Sequence, residues 1–154
     1  MFIHSFSVYI PNFINAQRYL LGRSIVITKS VLLTTVIMCI HSIALGIFKD
    51  IQDTEGDKEN GIQTFSTELG REKAFFLGIS VLLVEYGIAI VVGASSTSTL
   101  FSKFISVAGH CSLALALWFR SKSVDVKDNS SAISFYMFVW TLFYVGNVLM
   151  LLYR

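Results

Sequence analysis

Four apolar runs, at about residues 30–48, 74–94, 100–119 and 132–153, constrain this chain more than any other feature. Each is close to the ~20 residues that a helix needs to cross the hydrocarbon core of a bilayer. A soluble chain would have to bury all four, and 154 residues leave too little polar cover. Hydrophobic residues make up 54% of the sequence and charged residues 14%, against about 25% charged in a soluble domain. In lipid the backbone has to satisfy its own hydrogen bonds, so the runs are expected to be helices. They lack the alternation of membrane strands. The expected fold class is therefore all-α. It is a polytopic membrane helix bundle of about four transmembrane helices, with residues 1–154 forming a single membrane domain.

The charges are segregated. Residues 49–73 hold seven of the ten acidic groups: Asp50, Asp53, Glu55, Asp57, Glu59, Glu68 and Glu72. This acidic segment is read as a loop between the first two spans. Within it, Asp50, Asp53 and Asp57 are spaced i, i+3 and i+7, which is one face if the stretch is helical. Like charges on one face repel, and a divalent cation relieves the repulsion. Hard carboxylate oxygens suit Mg²⁺, which usually also holds a substrate phosphate. The plainer alternative is a solvated acidic segment that merely caps a membrane helix.

Two connections, 49–73 and 120–131, are expected on one side of the membrane. They carry Lys49, Lys58, Arg71, Lys73, Arg120, Lys122 and Lys127, a slight basic excess that favours the cytoplasmic or equivalent side. Within the spans, Glu85 and His110 stand near the middle of the second and third. A charge there costs roughly 2.5–3.5 kcal/mol on insertion scales, so such groups face a bundle interior or a cavity. Glu85 is read as a cavity-lining acid, a partner of a basic group or a protonated carboxyl bonded to a neighbouring helix, and His110 as a cavity-lining group or a partner in an interhelical hydrogen bond. Cys39 and Cys111 have no metal-binding spacing and read as small core residues. Tyr136, Trp140, Phe143 and Tyr144 form an aromatic stripe that packing and interface anchoring explain, with a wall for a flat aromatic substrate as the alternative. In residues 1–29, Met1 to Ile14 is apolar and aromatic, interrupted by Pro11 and Asn12, and Arg18, Arg23 and Lys29 follow at short intervals. The stretch has neither the basic start nor the cleavage site of a signal peptide, and it reads as the tail of a further membrane helix.

Several chemistries are excluded. There is no glycine-rich phosphate loop, no Ser/His/Asp grouping and no CxxC pair. The aspartate spacing of three and four does not fit the alternating ligands of an EF-hand. The basic residues are too scattered for a nucleic-acid surface.

The segment KDIQDTEGDKENGIQTFSTELG (Lys49–Gly70) resembles the second aspartate-rich motif of the UbiA-type membrane prenyltransferases. The plant aromatic branch, acting on homogentisate, flavonoids or coumarins, is the most similar. The resemblance extends through SKFISVAGH (Ser102–His110), LWFRSKSVD (Leu117–Asp125) and FYMFVWTLFY (Phe135–Tyr144). It implies a fold of nine membrane helices, of which these four spans match the last four, in an integral plastid membrane. It also implies that Asp50, Asp53 and Asp57 are the catalytic metal ligands, holding Mg²⁺ against a prenyl diphosphate, with Lys49 and Lys58 contacting phosphate oxygens. The implied reaction is Mg²⁺-assisted ionisation of the diphosphate, followed by attack of an electron-rich aromatic acceptor in a dry cavity.

This sequence departs from the family pattern at two points. Gln52 stands where the plant motif has proline. The family's other motif, of Asn-x-x-x-Asp-x-x-x-Asp type, is absent, and no acidic residue precedes Asp50. The chain is thus expected to be a C-terminal portion that is inactive by itself. The alternative is a non-enzymatic membrane partner or regulatory protein derived from half of such an enzyme. A transporter fragment, with Glu85 and His110 lining a path, is a weaker option. No feature of the sequence supports an oligomer.

Overall fold

The computed structural model of the chain describes residues 29–96 and 99–150. They fold into five helices, α1 (Lys29–Glu59), α2 (Phe65–Leu69), α3 (Arg71–Ser95), α4 (Leu100–Ser121) and α5 (Asn129–Met150). No strand occurs among the described residues. All but α2 are long and apolar enough to cross a membrane. The reading of residues 1–28 lies outside the described part.

The four long helices follow the four apolar runs, but α1 extends eleven residues past the expected end at residue 48. Hydropathy stops at Lys49, whereas the backbone keeps its hydrogen bonds in water. The acidic segment is therefore mostly helix and not loop. What ends α1 is Gly61. Its φ of 67° lies in the left-handed region that suits glycine. Its N–H donates to the Lys58 carbonyl at 3.2 Å and that of Ile62 to the Asp57 carbonyl at 2.8 Å, which is a Schellman cap.

Helix α2 then folds back on α1. Thr64 and Thr67 cap it reciprocally, and the fully buried Ser66 donates to the Asp50 carbonyl at 2.8 Å. Gly70, with φ 86° and ψ 153°, occupies a region open in practice to glycine alone and turns the chain into α3.

In the bundle, α1 packs against α3 and α5, and α4 against α3 and α5. Just inside the acidic end, Phe48, Phe75 and Phe135 from α1, α3 and α5 form a cluster with centroids 5.0–5.7 Å apart, Phe48 meeting the other two edge to face. Gly78 lies against the Phe48 ring. A β-carbon there would sit 2.7 Å from Phe48 Cζ, so α3 approaches α1 only because this residue is glycine. Cys39 and Cys111 are free thiols, half-buried on their helices. The aromatic stripe on α5 stacks internally, with Trp140 centroids 5.7 Å from Phe143 and 6.2 Å from Tyr136, and Tyr144 largely exposed.

The 60–70 and 122–128 connections meet at one end of the bundle. Arg71 donates to the Lys127 carbonyl at 3.3 Å, and the Lys127 ammonium lies 3.4 Å from Glu72. Glycosylation tags inserted at Asn60 and at Ser123 are expected to report the same side of the membrane. Tags on opposite sides would overturn the topology.

Candidate functional site

The acidic column forms the last turns of α1. At 1.5 Å rise per residue, Asp50 and Asp57 are about 10 Å apart along the axis, and each is one turn from Asp53. Side chains one turn apart have β-carbons about 5–6 Å apart. The column is therefore a ladder of two adjoining pairs, Asp50/Asp53 and Asp53/Asp57, with Asp53 common to both. Among the described residues no three His, Cys, Asp or Glu side chains gather into a metal-holding group. The three aspartates share a face, as expected, without converging on one point.

Each rung has its own surroundings. Asp53 is exposed and takes the Lys49 ammonium at 2.7 Å, one turn back. An exposed pair of this kind is worth about 0.2–1 kcal/mol, so Lys49 is readily exchanged for another cation. Asp57 is half-buried beside the Schellman cap. Asp50 is half-buried where α2 crosses. Its carbonyl accepts from Ser66 at 2.8 Å and from Thr54 at 3.0 Å, which fixes the backbone at this rung. Asp50 also lines an open groove of about 470 Å³ with Gln63, Thr64, Phe65, Glu68 and Leu69. Phe65 and Leu69 expose their apolar faces there. Lys58 is exposed on a neighbouring side of the last turn. The structure thus brings Lys49 to the column and leaves Lys58 off it.

Two contributors escape a reading of the sequence. Ser66 holds α2 against the Asp50 carbonyl; its only signal is a small polar residue in a short threonine-flanked segment. Arg71 reaches Glu55 at 3.5 Å while also holding the Lys127 carbonyl, so it braces the end of α1 against the start of α3 and the 122–128 connection. A second cleft, of about 730 Å³, opens at the same end between α3 and α4. It balances Glu72 and Asp125 against Lys122 and Lys127, and Lys127 already pairs with Glu72.

Glu85 and His110 both bond within the bundle. Glu85 meets His41 of α1, with His41 Nδ1 3.0 Å from each carboxylate oxygen. His110 Nδ1 lies 2.8 Å from the Ser106 carbonyl one turn earlier. Glu85 thus takes an interhelical bond, to His41 of α1.

The donor set suits a metal of the magnesium kind. The ladder offers only carboxylate oxygens, the hard ligands that Mg²⁺ prefers, and no imidazole or thiolate.

Four membrane-length helices among the described residues, one of them ending in a carboxylate ladder, define the architecture. Comparison with known proteins identifies the family. The chain belongs to the UbiA prenyltransferase family, whose model matches residues 13–142. It is 44% identical over 144 residues to the homogentisate geranylgeranyltransferase of Hordeum vulgare, covering 94% of this chain and 35% of that protein. It is 44% identical over 132 residues to coumarin 8-geranyltransferase 1, chloroplastic, of Citrus limon, covering 86% and 32%. It is 40% identical over 148 residues to homogentisate phytyltransferase 1, chloroplastic, of Arabidopsis thaliana, covering 96% and 37%. The chain spans about a third of the length of the curated relatives it matches, at their C-terminal portion. No solved structure gives a significant match.

Proposed function

We propose that this chain is the diphosphate-binding portion of an aromatic prenyltransferase of the plastid membrane. The observation that carries the proposal is the one-faced ladder Asp50, Asp53 and Asp57 at the end of a membrane helix, in a chain similar to enzymes named for homogentisate and coumarin prenylation. The ladder would hold Mg²⁺. Bound there, Mg²⁺ supplies charge neutralisation to the leaving diphosphate and a template for its oxygens.

This chain's own residues then do three things. The aspartates fix the phosphate end at the membrane surface. Lys49, released from Asp53, and Lys58 approach phosphate oxygens from either side of the ladder. Phe65 and Leu69 expose apolar faces in the groove that Asp50 lines and suit an isoprenoid chain. The acceptor class is an electron-rich aromatic, and the reaction transfers the prenyl group to it with loss of diphosphate.

The test is a chimera. Residues 29–150 replace the matching portion of the Hordeum vulgare enzyme, and prenyl transfer from a labelled allylic diphosphate to homogentisate is assayed in membranes with Mg²⁺. Transfer above that of a chimera carrying Asp53→Ala supports the proposal. Residues 1–154 expressed alone are expected to give no product, because this sequence supplies one acidic ladder where the family's scheme uses two. A chimera indistinguishable from its Asp53→Ala form, or product from residues 1–154 alone, would count against the reading.

A further inference from the structure

The His41–Glu85 pair lies deep in the bundle, and the proposed chemistry does not use it. His41 is 1% exposed and Glu85 3%. Both carboxylate oxygens of Glu85 lie 3.0 Å from His41 Nδ1, and the imidazole packs on Phe143 of α5 with centroids 5.0 Å apart. The cavity beside the pair, lined also by Tyr86 and Asn147, measures about 10 Å³. That is room for about one water, so the pair receives no substrate.

Its place on α1 is informative. At about 100° per residue, Asp50 lies about 180° around the helix from His41, Asp53 about 120° and Asp57 about 160°. The pair therefore grips α1 from the side opposite the acidic ladder. Phe48, two turns on, lies on the gripped side. Apolar contacts are non-directional and tolerate rotation of a helix about its axis. A hydrogen bond made to both oxygens of a carboxylate does not, because its geometry is lost within tens of degrees. In a low-dielectric interior, breaking it leaves polar groups unsatisfied.

We propose that His41 and Glu85 are positioning residues that set the rotation of α1 and so turn Asp50, Asp53 and Asp57 away from α3 and α5. Their importance for prenyl transfer rests on the ladder being the diphosphate site; the rotation itself does not.

The rotation is measured by thiol labelling of the full chain in membranes, after Cys39→Ser and Cys111→Ser. Reporter cysteines are placed singly at Asp53, which is exposed, and at Thr54, which is buried. A membrane-impermeant maleimide is expected to label Asp53→Cys about tenfold faster than Thr54→Cys, reflecting the protection of buried sites. Glu85→Gln keeps one of the two accepting oxygens and should retain a clear part of that contrast. The double variant His41→Leu with Glu85→Val stays near the native volume and leaves no unpaired charge, so it is expected to fold. It should bring the contrast close to one. A double variant that keeps the tenfold contrast, or a Glu85→Gln chain that loses it, would overturn the proposal. Labelling does not depend on prenyl transfer, so failure of the chimera assay with this contrast intact would sink the functional reading alone.

Discussion

Asp53→Ala, made in the chimera, is expected to lower prenyl-transfer turnover by about 10²–10³-fold, as removal of one preorganised electrostatic group commonly does. Asp53 belongs to both carboxylate pairs, so its loss leaves neither able to hold an ion between two side chains. Asp50→Ala and Asp57→Ala each leave one pair, and each is expected to cost about tenfold, or about 1.4 kcal/mol of barrier. Asp53→Asn should resemble Asp53→Ala, because it keeps the shape and removes the charge. Initial rates at saturating allylic diphosphate check the ranking. Near-normal turnover for Asp53→Ala would remove the ladder from the mechanism. Equal losses at all three positions would argue for a single convergent site in place of two pairs.

The second large effect concerns assembly. Phe48 is 2% exposed and touches Phe75, Phe135 and the surface of Gly78. Phe48→Ala is expected to destabilise the bundle by about 3 kcal/mol, the lower end of the range for deleting a buried phenylalanine. The lower end applies because lipid, not water, is the reference for apolar burial between membrane helices. Gly78→Val forces a side chain into the Phe48 ring and is expected to cost about 1–3 kcal/mol. The two should not add. Removing the ring opens the space that the valine needs, so the double variant is expected to lose less than the sum of the singles. Reversible unfolding in mixed micelles of increasing SDS content measures all three. Strict additivity would mean that the close approach of α1 and α3 does not depend on this contact.

These effects follow from different kinds of information in the sequence. The spans were legible because length and apolarity are local properties, and a bilayer demands both. The ladder was legible as a face because aspartates at i, i+3 and i+7 align on any helix. The extent of α1 was not, because polar residues 49–59 end the hydropathy signal without ending the helix. Its true stop was written in Gly61. Lys49 illustrates a second limit. The family resemblance implied a phosphate contact for it, and nothing local showed that it pairs with Asp53 one turn away. Contacts that depend on how two helices are rotated against each other were invisible. His41 and Glu85 are 44 residues apart, and nothing local pairs them. Ser66 with Asp50, and Arg71 with Glu55 and Lys127, are of the same kind.

The central claim is that Asp50, Asp53 and Asp57 hold a prenyl diphosphate through a divalent cation. Equilibrium binding of a radiolabelled allylic diphosphate to the purified chain in lipid nanodiscs tests it without requiring turnover. Saturable binding with Mg²⁺, lost on chelation with EDTA and lost again in the Asp50→Asn, Asp53→Asn, Asp57→Asn triple variant, is the predicted result. Binding of equal strength in EDTA, or in the triple variant with Mg²⁺ present, would contradict it.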